Sequence, residues 1–171
     1  MKMLDLPFEI IDLKDVKESY PDDLDKEKVP EYLSRLKAAA YAADLREGDI
    51  LVTADTVVIL DDEIIGKPRD LDDAKAMLRK LSGRIHRVVT GVTLADTKKS
   101  VTFSSVTDVE FAPLSDAEID FYVDRYRPLD KAGAYGIQEW IGAAGVAAIN
   151  GSFYNVMGLP VHRLYNELLL F

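Results

Sequence analysis

The chain has 171 residues, of which 48% are hydrophobic and 30% charged, and this composition is typical of one folded domain spanning residues 1–171. Thirty acidic and 21 basic residues give a net charge of −9, which argues against a polyanionic partner such as duplex DNA but not against a small anion held through a metal ion. Because cysteine is absent, the composition excludes disulfides, thiolate zinc sites and a cysteine nucleophile.

The sequence gives no sign of export or membrane insertion. Met1–Ile10 contains two acidic residues and no long apolar core, and the longest apolar run, Ile50–Leu60, is too short to cross a bilayer. Asn150-Gly151-Ser152 matches a glycosylation triplet and is interpreted as a turn. We therefore predict a cytoplasmic protein that contacts neither a membrane nor a nucleic-acid polymer.

The first part of the chain predicts a strand, a loop and a helix. Pro7–Leu13 alternates weakly and predicts a short strand, and Asp15–Lys28 predicts a solvated polar loop. Pro30 begins a predicted helix, since proline is tolerated in the first helical turn. Lys37 lies near the edge of the apolar face of this helix. That face consists of Leu33, Leu36, Ala40 and Tyr41.

The next segment, Val52–Ile59, predicts a buried strand because apolar and branched residues follow one another without alternation. Asp55 lies in the middle of this strand, where a carboxylate without a partner would be costly to bury. After a turn, Gly66-Lys67-Pro68 brings a cation back toward the same region. An acid on a rigid strand with a lysine nearby is an arrangement that suits a phosphate and metal site.

The remaining sequence alternates helices and strands, which predicts the α/β class. Asp70 is a predicted N-cap, Ser115 and Glu118 have the spacing of a capping box, and the Gly- and Ala-rich segment Asp130–Gly145 predicts close backbone approaches. The predicted elements are a helix from Asp70 with Ala74, Met77, Leu78 and Leu81 buried, strands at Val88–Leu94, Val101–Phe111 and Val146–Ile149, a helix after Ser115, and a last helix ending at Leu170.

Familiar catalytic motifs do not occur in this sequence. The surroundings of Gly66-Lys67 do not complete a P-loop, and no G-x-G-x-x-G, G-x-S-x-G or H-E-x-x-H pattern is found. The two histidines, His86 and His162, are interpreted as ordinary polar residues in loops or at helix starts.

A set of carboxylates and lysines remains: Glu18, Lys37, Asp55 and Lys67. Asp55 stands out because an acid in an apolar strand is seldom tolerated without a functional or metal partner. Magnesium commonly takes one or two protein carboxylates together with substrate phosphates, so Glu18 and Asp55 would suffice as metal ligands. The predicted reaction is metal-assisted attack of water at phosphorus, with Asp55 orienting or deprotonating the water.

Two further residues are candidates for substrate contact. Thr56 follows Asp55 and points to the opposite face of a regular strand, where it is suited to contact a base or sugar. Gln138 carries an amide that both donates and accepts, which suits the edge of a pyrimidine, although a solvent-facing loop glutamine is an equal alternative. The enzyme hypothesis requires that Asp55 face a cavity and not be neutralised by a purely internal partner.

These residues occur in segments that resemble the Maf family of nucleotide pyrophosphatases. The segments follow in the family's order: Ala54–Val58, Gly66-Lys67-Pro68, Leu81–Arg84 with His86, Thr90-Gly91-Val92, Asp130–Gln138 and Gly158-Leu159-Pro160. The resemblance implies an α/β fold of the Maf and inosine-triphosphatase type, in which a mixed twisted sheet with flanking helices forms two lobes around a cleft. It also implies that a nucleoside triphosphate is cut between its α and β phosphates with a divalent metal, Mg²⁺ or Mn²⁺, and that homodimers are common.

The resemblance assigns a role to each candidate residue. Asp55 matches the family's proton acceptor, and Glu18, Lys37 and Lys67 match its polar active-site positions. Thr56 and Gln138 match positions tied to substrate choice, and Gly136-Ile137-Gln138 resembles the branch that acts on dTTP and UTP. The alternatives are the sister branch that prefers 7-methyl-GTP and a non-catalytic nucleotide-binding regulator of septum formation.

One departure concerns the start of the sequence. The family normally begins with a strand ending in Ser-Pro-Arg-Arg, whereas Met1–Leu4 resembles the helix that follows that strand. Either the chain continues upstream or this is a shortened version. Without the two arginines, we expect substrate binding to be weaker by several kcal/mol.

Overall fold

Five strands form one sheet in the computed structural model, which describes residues 1–12 and 14–171 and, at residue 3, the backbone alone. The strands are β1 (Leu51–Leu60), β2 (Glu63–Ile65), β3 (Ile85–Ala95), β4 (Ser100–Phe111) and β5 (Val146–Asn150), in the order β2-β1-β3-β4-β5. Every pairing between these strands is antiparallel. The α/β class is therefore confirmed, while the predicted mixture of parallel and antiparallel strands is wrong for these five.

Helices lie on both faces of this sheet. They are α1 (Val29–Tyr41), α2 (Leu71–Leu81), α3 (Asp116–Tyr126), α4 (Trp140–Ala144), α5 (Phe153–Val156) and α6 (Val161–Leu170). No helix in the described part of the chain is long and apolar enough to cross a membrane. The single-domain organisation and the two lobes around a cleft stay predictions.

β1 presents alternate side chains to two different cores. Val57 and Ile59 pack with Val29 and Leu33 of α1, whereas Val58 belongs to the core formed with α2 and α3. Because helices cover both faces, an antiparallel strand acquires the continuous apolar run that is typical of a parallel one. The burial prediction holds only for the end of the strand: residues 57–60 are buried, and residues 52–56 are partly exposed.

Helix α1 lies directly against β3 because Gly91 has no side chain. A Cβ atom built on Gly91 would lie 2.3 Å from the backbone nitrogen of Glu31 and from the carbonyl carbon of Pro30. Gly91 is paired across the sheet with Asp55, so both residues face α1. This close approach determines how near the later turns of α1 come to the acid.

The predicted helix starts are confirmed. Asp70 accepts a hydrogen bond from the backbone N–H of Asp73, and Ser115 and Glu118 form a complete capping box. The caps satisfy backbone N–H groups that have no partner within the first helical turn.

Several other predictions are wrong. Residues 7–12 of the predicted strand belong to no helix or strand, and residue 13 lies outside the described residues. The helix expected at the start of the chain is a short 3₁₀ turn, Lys2–Leu4, and the sequence did not predict α5. His162 lies in the first turn of α6 as expected, but His86 is buried in β3, where its Nε2 atom lies 2.7 Å from the hydroxyl of Tyr135.

Candidate active site

Three of the predicted residues meet where α1 crosses β1. Lys37 Nζ lies 2.5 Å from Asp55 Oδ1 and 3.1 Å from Glu18 Oε1, so a single ammonium group joins both carboxylates. Lys37 reaches the sheet because it lies on the inner edge of α1, and Asp55 faces it because odd-numbered side chains of β1 point toward this helix. The structure thus brings Glu18, Lys37 and Asp55 together.

The cluster is buried at one end and open at the other. The exposed fraction of the side chain rises from 11% for Asp55 to 20% for Lys37 and 50% for Glu18. Asp55 therefore has an internal partner, but that partner is itself bound to a half-exposed carboxylate. The arrangement gives the acid a connection to solvent instead of a closed internal ion pair.

Burial raises the pKa of Asp55 above its ordinary value, against the opposing effect of Lys37, and the nearby Glu18 raises it further. Burial lowers the pKa of Lys37, but its hydrogen bonds and charge interactions with Asp55 and Glu18 outweigh burial and raise the pKa overall. A carboxylate with a raised pKa is a better proton acceptor, and the lysine stays protonated.

Lys67 follows β2 at the edge of the sheet and is exposed. Its charge lowers the pKa of Asp55 and also that of Asp130, so it lies near both carboxylates. Among residues 1–12 and 14–171 it forms no ion pair within 4 Å. An exposed ammonium group in this position is available to an anionic ligand as a point charge.

Thr56 lies on the other face of β1, as predicted. Its hydroxyl lies 2.8 Å from the hydroxyl of Thr90 on β3. Gln138 is exposed and follows the 3₁₀ turn Ala132–Ala134, whose Gly133 contacts Val58 on the same face of β1 as Thr56. Thr56 thus lies on one face of β1 and the acid–lysine cluster on the other, and Gln138 follows a turn that packs on the face of Thr56.

The oxygen donors around Asp55 bear on whether the site suits a divalent cation. Within the described part of the chain, no group of three or more His, Asp or Glu side chains is arranged to hold a metal ion. Glu18 and Asp55 both contact Lys37 Nζ, so their oxygens converge on one region. Two carboxylates fit Mg²⁺ or Mn²⁺ when phosphate oxygens of a substrate and water complete the coordination.

The two cavities described in the structure lie elsewhere. The larger, about 370 Å³, is lined by residues such as Ser105 and His162, and the smaller, about 220 Å³, by residues such as Gly48 and Lys98. Neither includes a predicted site residue. That Asp55 faces a cavity therefore stays a prediction.

Sequence reasoning missed a polar cluster beside Gln138. Tyr122 donates to a carboxylate oxygen of Glu139 and accepts from the backbone N–H of Gly136 at 3.0 Å, and Lys131 Nζ lies 3.3 Å from the other carboxylate oxygen of Glu139. These contacts brace the turn that carries Gln138. The sequence held no local signal for them, because Tyr122 lies 17 residues from Glu139.

Comparison with known proteins identifies the family. The whole chain, residues 1–171, matches the family model described as "Maf-like protein". A protein of Porphyromonas gingivalis strain W83 named dTTP/UTP pyrophosphatase is 56% identical over 167 residues, which cover 96% of this chain and 84% of the relative.

Proteins with the same name from two other bacteria are similar to the chain over a comparable length. The relative from Bacteroides thetaiotaomicron is 52% identical over 98% of this chain and 87% of its own length. The relative from Flavobacterium psychrophilum is 48% identical over 98% of this chain and 86% of its own length. The chain therefore belongs to the Maf-like family.

Proposed function

We propose that this member of the Maf-like family is a nucleoside triphosphate pyrophosphatase that hydrolyses dTTP and UTP to the monophosphate and pyrophosphate. The observation that carries the proposal is the match, at 48–56% identity and over nearly the whole chain, to relatives named dTTP/UTP pyrophosphatase. These names favour neither the 7-methyl-GTP-preferring alternative nor the non-catalytic regulator.

In the proposed reaction, a water oxygen forms a bond to phosphorus as the bridge between the α and β phosphates breaks. Asp55 accepts the proton of the attacking water, a role that its raised pKa and its position on a rigid strand both support. Lys37 holds the Asp55 carboxylate in place, and the exposed Lys67 offers positive charge to the phosphates.

The proposal includes a divalent cation, Mg²⁺ or Mn²⁺. Glu18 and Asp55 would hold it together with substrate phosphates, which requires Lys37 to share or yield its two carboxylates. Such a cation neutralises phosphate charge when bound.

The base is assigned to the other face of β1, where Thr56 and Gln138 would contact a pyrimidine. We also propose a cytoplasmic location, because nucleoside triphosphates are made and used there. Homodimerisation stays a prediction of the family resemblance.

The test is release of pyrophosphate from dTTP, UTP and 7-methyl-GTP, with Mg²⁺ and after its removal by EDTA. We expect metal-dependent turnover of dTTP and UTP, and a loss of at least about 100-fold in Asp55→Asn, since general-base catalysis is typically worth that much. The matched control is Asp62→Asn, because the Asp62 side chain is 94% exposed and lies in the turn that follows β1.

Two results would contradict the proposal. One is the absence of metal-dependent pyrophosphate release from dTTP and UTP, whether or not 7-methyl-GTP is cleaved. The other is an Asp55→Asn variant that retains full turnover. If this variant is inactive because it has unfolded, as judged by circular dichroism, Asp55 has a structural role and the catalytic assignment is wrong.

A further inference from the structure

The hydroxyl of Thr56 is the first member of a chain of hydrogen bonds that fixes the direction of its proton. Thr90 Oγ1 donates to the backbone carbonyl of Asn155 at 3.1 Å, and a carbonyl oxygen can only accept. A hydroxyl has one proton, so Thr90 has none left for Thr56. In the 2.8 Å contact between the two threonines, Thr56 must therefore be the donor and Thr90 the acceptor.

The distal end of this chain is held rigidly. Thr90 and Asn155 are fully buried, and the Asn155 amide donates to the carbonyl of Val88 at 3.1 Å and to Thr107 Oγ1 at 3.0 Å. Buried polar groups that are held on several sides do not reorient easily. The backbone carbonyl of Asn155 thus keeps pointing at Thr90, and the Thr90 hydroxyl continues to donate its proton to that carbonyl.

Thr56 is a partly exposed residue, and there is space beside its hydroxyl. A Cβ atom built on Gly158 would lie 3.6 Å from Thr56 Oγ1, with no other described atom within 4 Å beyond the chain neighbours. Gly158 has a φ of +100°, a backbone conformation that L side chains rarely adopt. The glycine therefore leaves the region beside the hydroxyl without a side chain.

We infer that Thr90 is a positioning residue that makes Thr56 an obligatory hydrogen-bond acceptor toward the substrate, and so selects a pyrimidine that carries an N–H donor at its ring position N3. Uracil and thymine carry a hydrogen on N3, whereas cytosine has a bare acceptor nitrogen at the same position. When two hydrogen-bond acceptors face each other, neither has a partner. A site built for a donor therefore discriminates against a base that presents an acceptor. This inference rests on the proposed function and specifies which feature of the pyrimidine the site recognises.

The test compares kcat/KM for UTP and CTP in Thr90→Val and Thr90→Ser. The valine retains the shape and lacks the hydroxyl, so Thr56 becomes free to rotate and donate to cytosine. We expect the wild type to prefer UTP, and Thr90→Val to lose at least about tenfold of that preference, mainly because KM for CTP falls. Thr90→Ser retains the relay and should retain the preference.

Thr93→Val is the matched control. Thr93 is an equally buried threonine of β3 that bonds Ser34 and Thr102 instead of Thr56. A general effect of removing a buried hydroxyl from this strand would lower kcat/KM for both nucleotides in Thr93→Val without changing their ratio. If Thr90→Val does not fold, Thr90→Ala replaces it.

The inference is overturned if Thr90→Val keeps the UTP-to-CTP ratio of the wild type, or if Thr93→Val changes that ratio equally. If the wild type turns over neither nucleotide, the proposed function fails. In that case equilibrium binding of UTP and CTP to the same variants measures the same ratio and decides the inference independently.

Discussion

Replacing Lys37 is expected to destabilise the protein more than replacing Asp55, because the two members of this ion pair depend on each other unequally. When Asp55 is changed, Lys37 Nζ still has Glu18 at 3.1 Å. Asp55, by contrast, has Lys37 as its only side-chain hydrogen-bond partner in the described part of the chain. Lys37→Met keeps the apolar stem without the charge, and Asp55→Asn keeps the shape without the charge.

The size of the effect follows from the burial of Asp55. In Lys37→Met the carboxylate either stays charged without its cation or takes up a proton. Protonation of the carboxylate limits how much stability Lys37→Met can lose. For a carboxyl with an ordinary pKa of about 3.9, protonation costs about 4 kcal/mol at pH 7 and about 1.5 kcal/mol at pH 5. One-sided removal of a buried ion pair typically costs about 3 to 5 kcal/mol. We therefore expect Lys37→Met to lower the free energy of unfolding by about 3 kcal/mol at pH 7, and Asp55→Asn by about 1 kcal/mol.

The pH dependence has a definite sign. Removing Lys37 takes away the interaction that favours the charged acid, so the folded-state pKa of Asp55 lies further above its unfolded value. The folded variant then binds a proton more readily than the unfolded chain, and it regains stability relative to the wild type as the pH falls from 7 to 5.

The assay is urea denaturation of the wild type, both single variants and the double variant at pH 7 and pH 5. In the Asp55→Asn background, Lys37→Met should cost less than about 1 kcal/mol, because no buried charge is left unpaired. If Lys37→Met costs the same in both backgrounds and at both pH values, Asp55 and Lys37 are not coupled. The electrostatic description of the site is then wrong.

Two further predictions concern β3, the strand that pairs with β1. Burial lowers the pKa of His86 from 6.5 to about 4, so between these pH values the unfolded state binds more protons and the protein loses stability as the pH falls. Urea denaturation should show that the free energy of unfolding decreases by about 2 to 3 kcal/mol between pH 7 and pH 4.5, and that His86→Gln lacks this decrease. An equal decrease in both proteins would contradict the prediction. Gly91→Ala should lower the free energy of unfolding by about 2 kcal/mol and reduce pyrophosphate release, because its Cβ would displace α1. Gly66→Ala should do neither, because a Cβ at Gly66 would have no described atom within 4 Å apart from its chain neighbours. Equal effects of the two substitutions would refute the close approach of α1 to Gly91.

Local sequence signals predicted the features that depend on neighbouring residues. The Asp70 cap and the capping box at Ser115 are satisfied within four residues of the chain, so their spacing alone identifies them. The strands β3 and β4 are joined by a short turn at Asp96–Lys99, and the sequence pattern that predicts both strands is likewise local. Such elements are specified by residues that lie close together in the sequence.

The features that failed prediction depend on distant residues. His86 looks polar in the sequence, but β4 and a later segment bring Phe111 and Tyr135 edge-on to its ring, and the resulting burial keeps it neutral. Likewise, Lys37 was placed near the edge of an apolar face, but its bond to Asp55 depends on how α1 lies across the sheet. No local spacing encodes that arrangement.

The pairing of β1 with β3 connects the two halves of the candidate site. Asp55 lies opposite Gly91, whose missing side chain lets α1 approach and bring Lys37 to the acid. Thr56 lies opposite Thr90, whose hydroxyl sets the direction of the Thr56 proton. Because side chains alternate along a strand, a register slip of one residue would pair Asp55 with Thr90 and Thr56 with Val89, or Asp55 with Val92 and Thr56 with Gly91. Both halves would be lost in one step, so the register between these two strands is a requirement of the chemistry as well as of the fold.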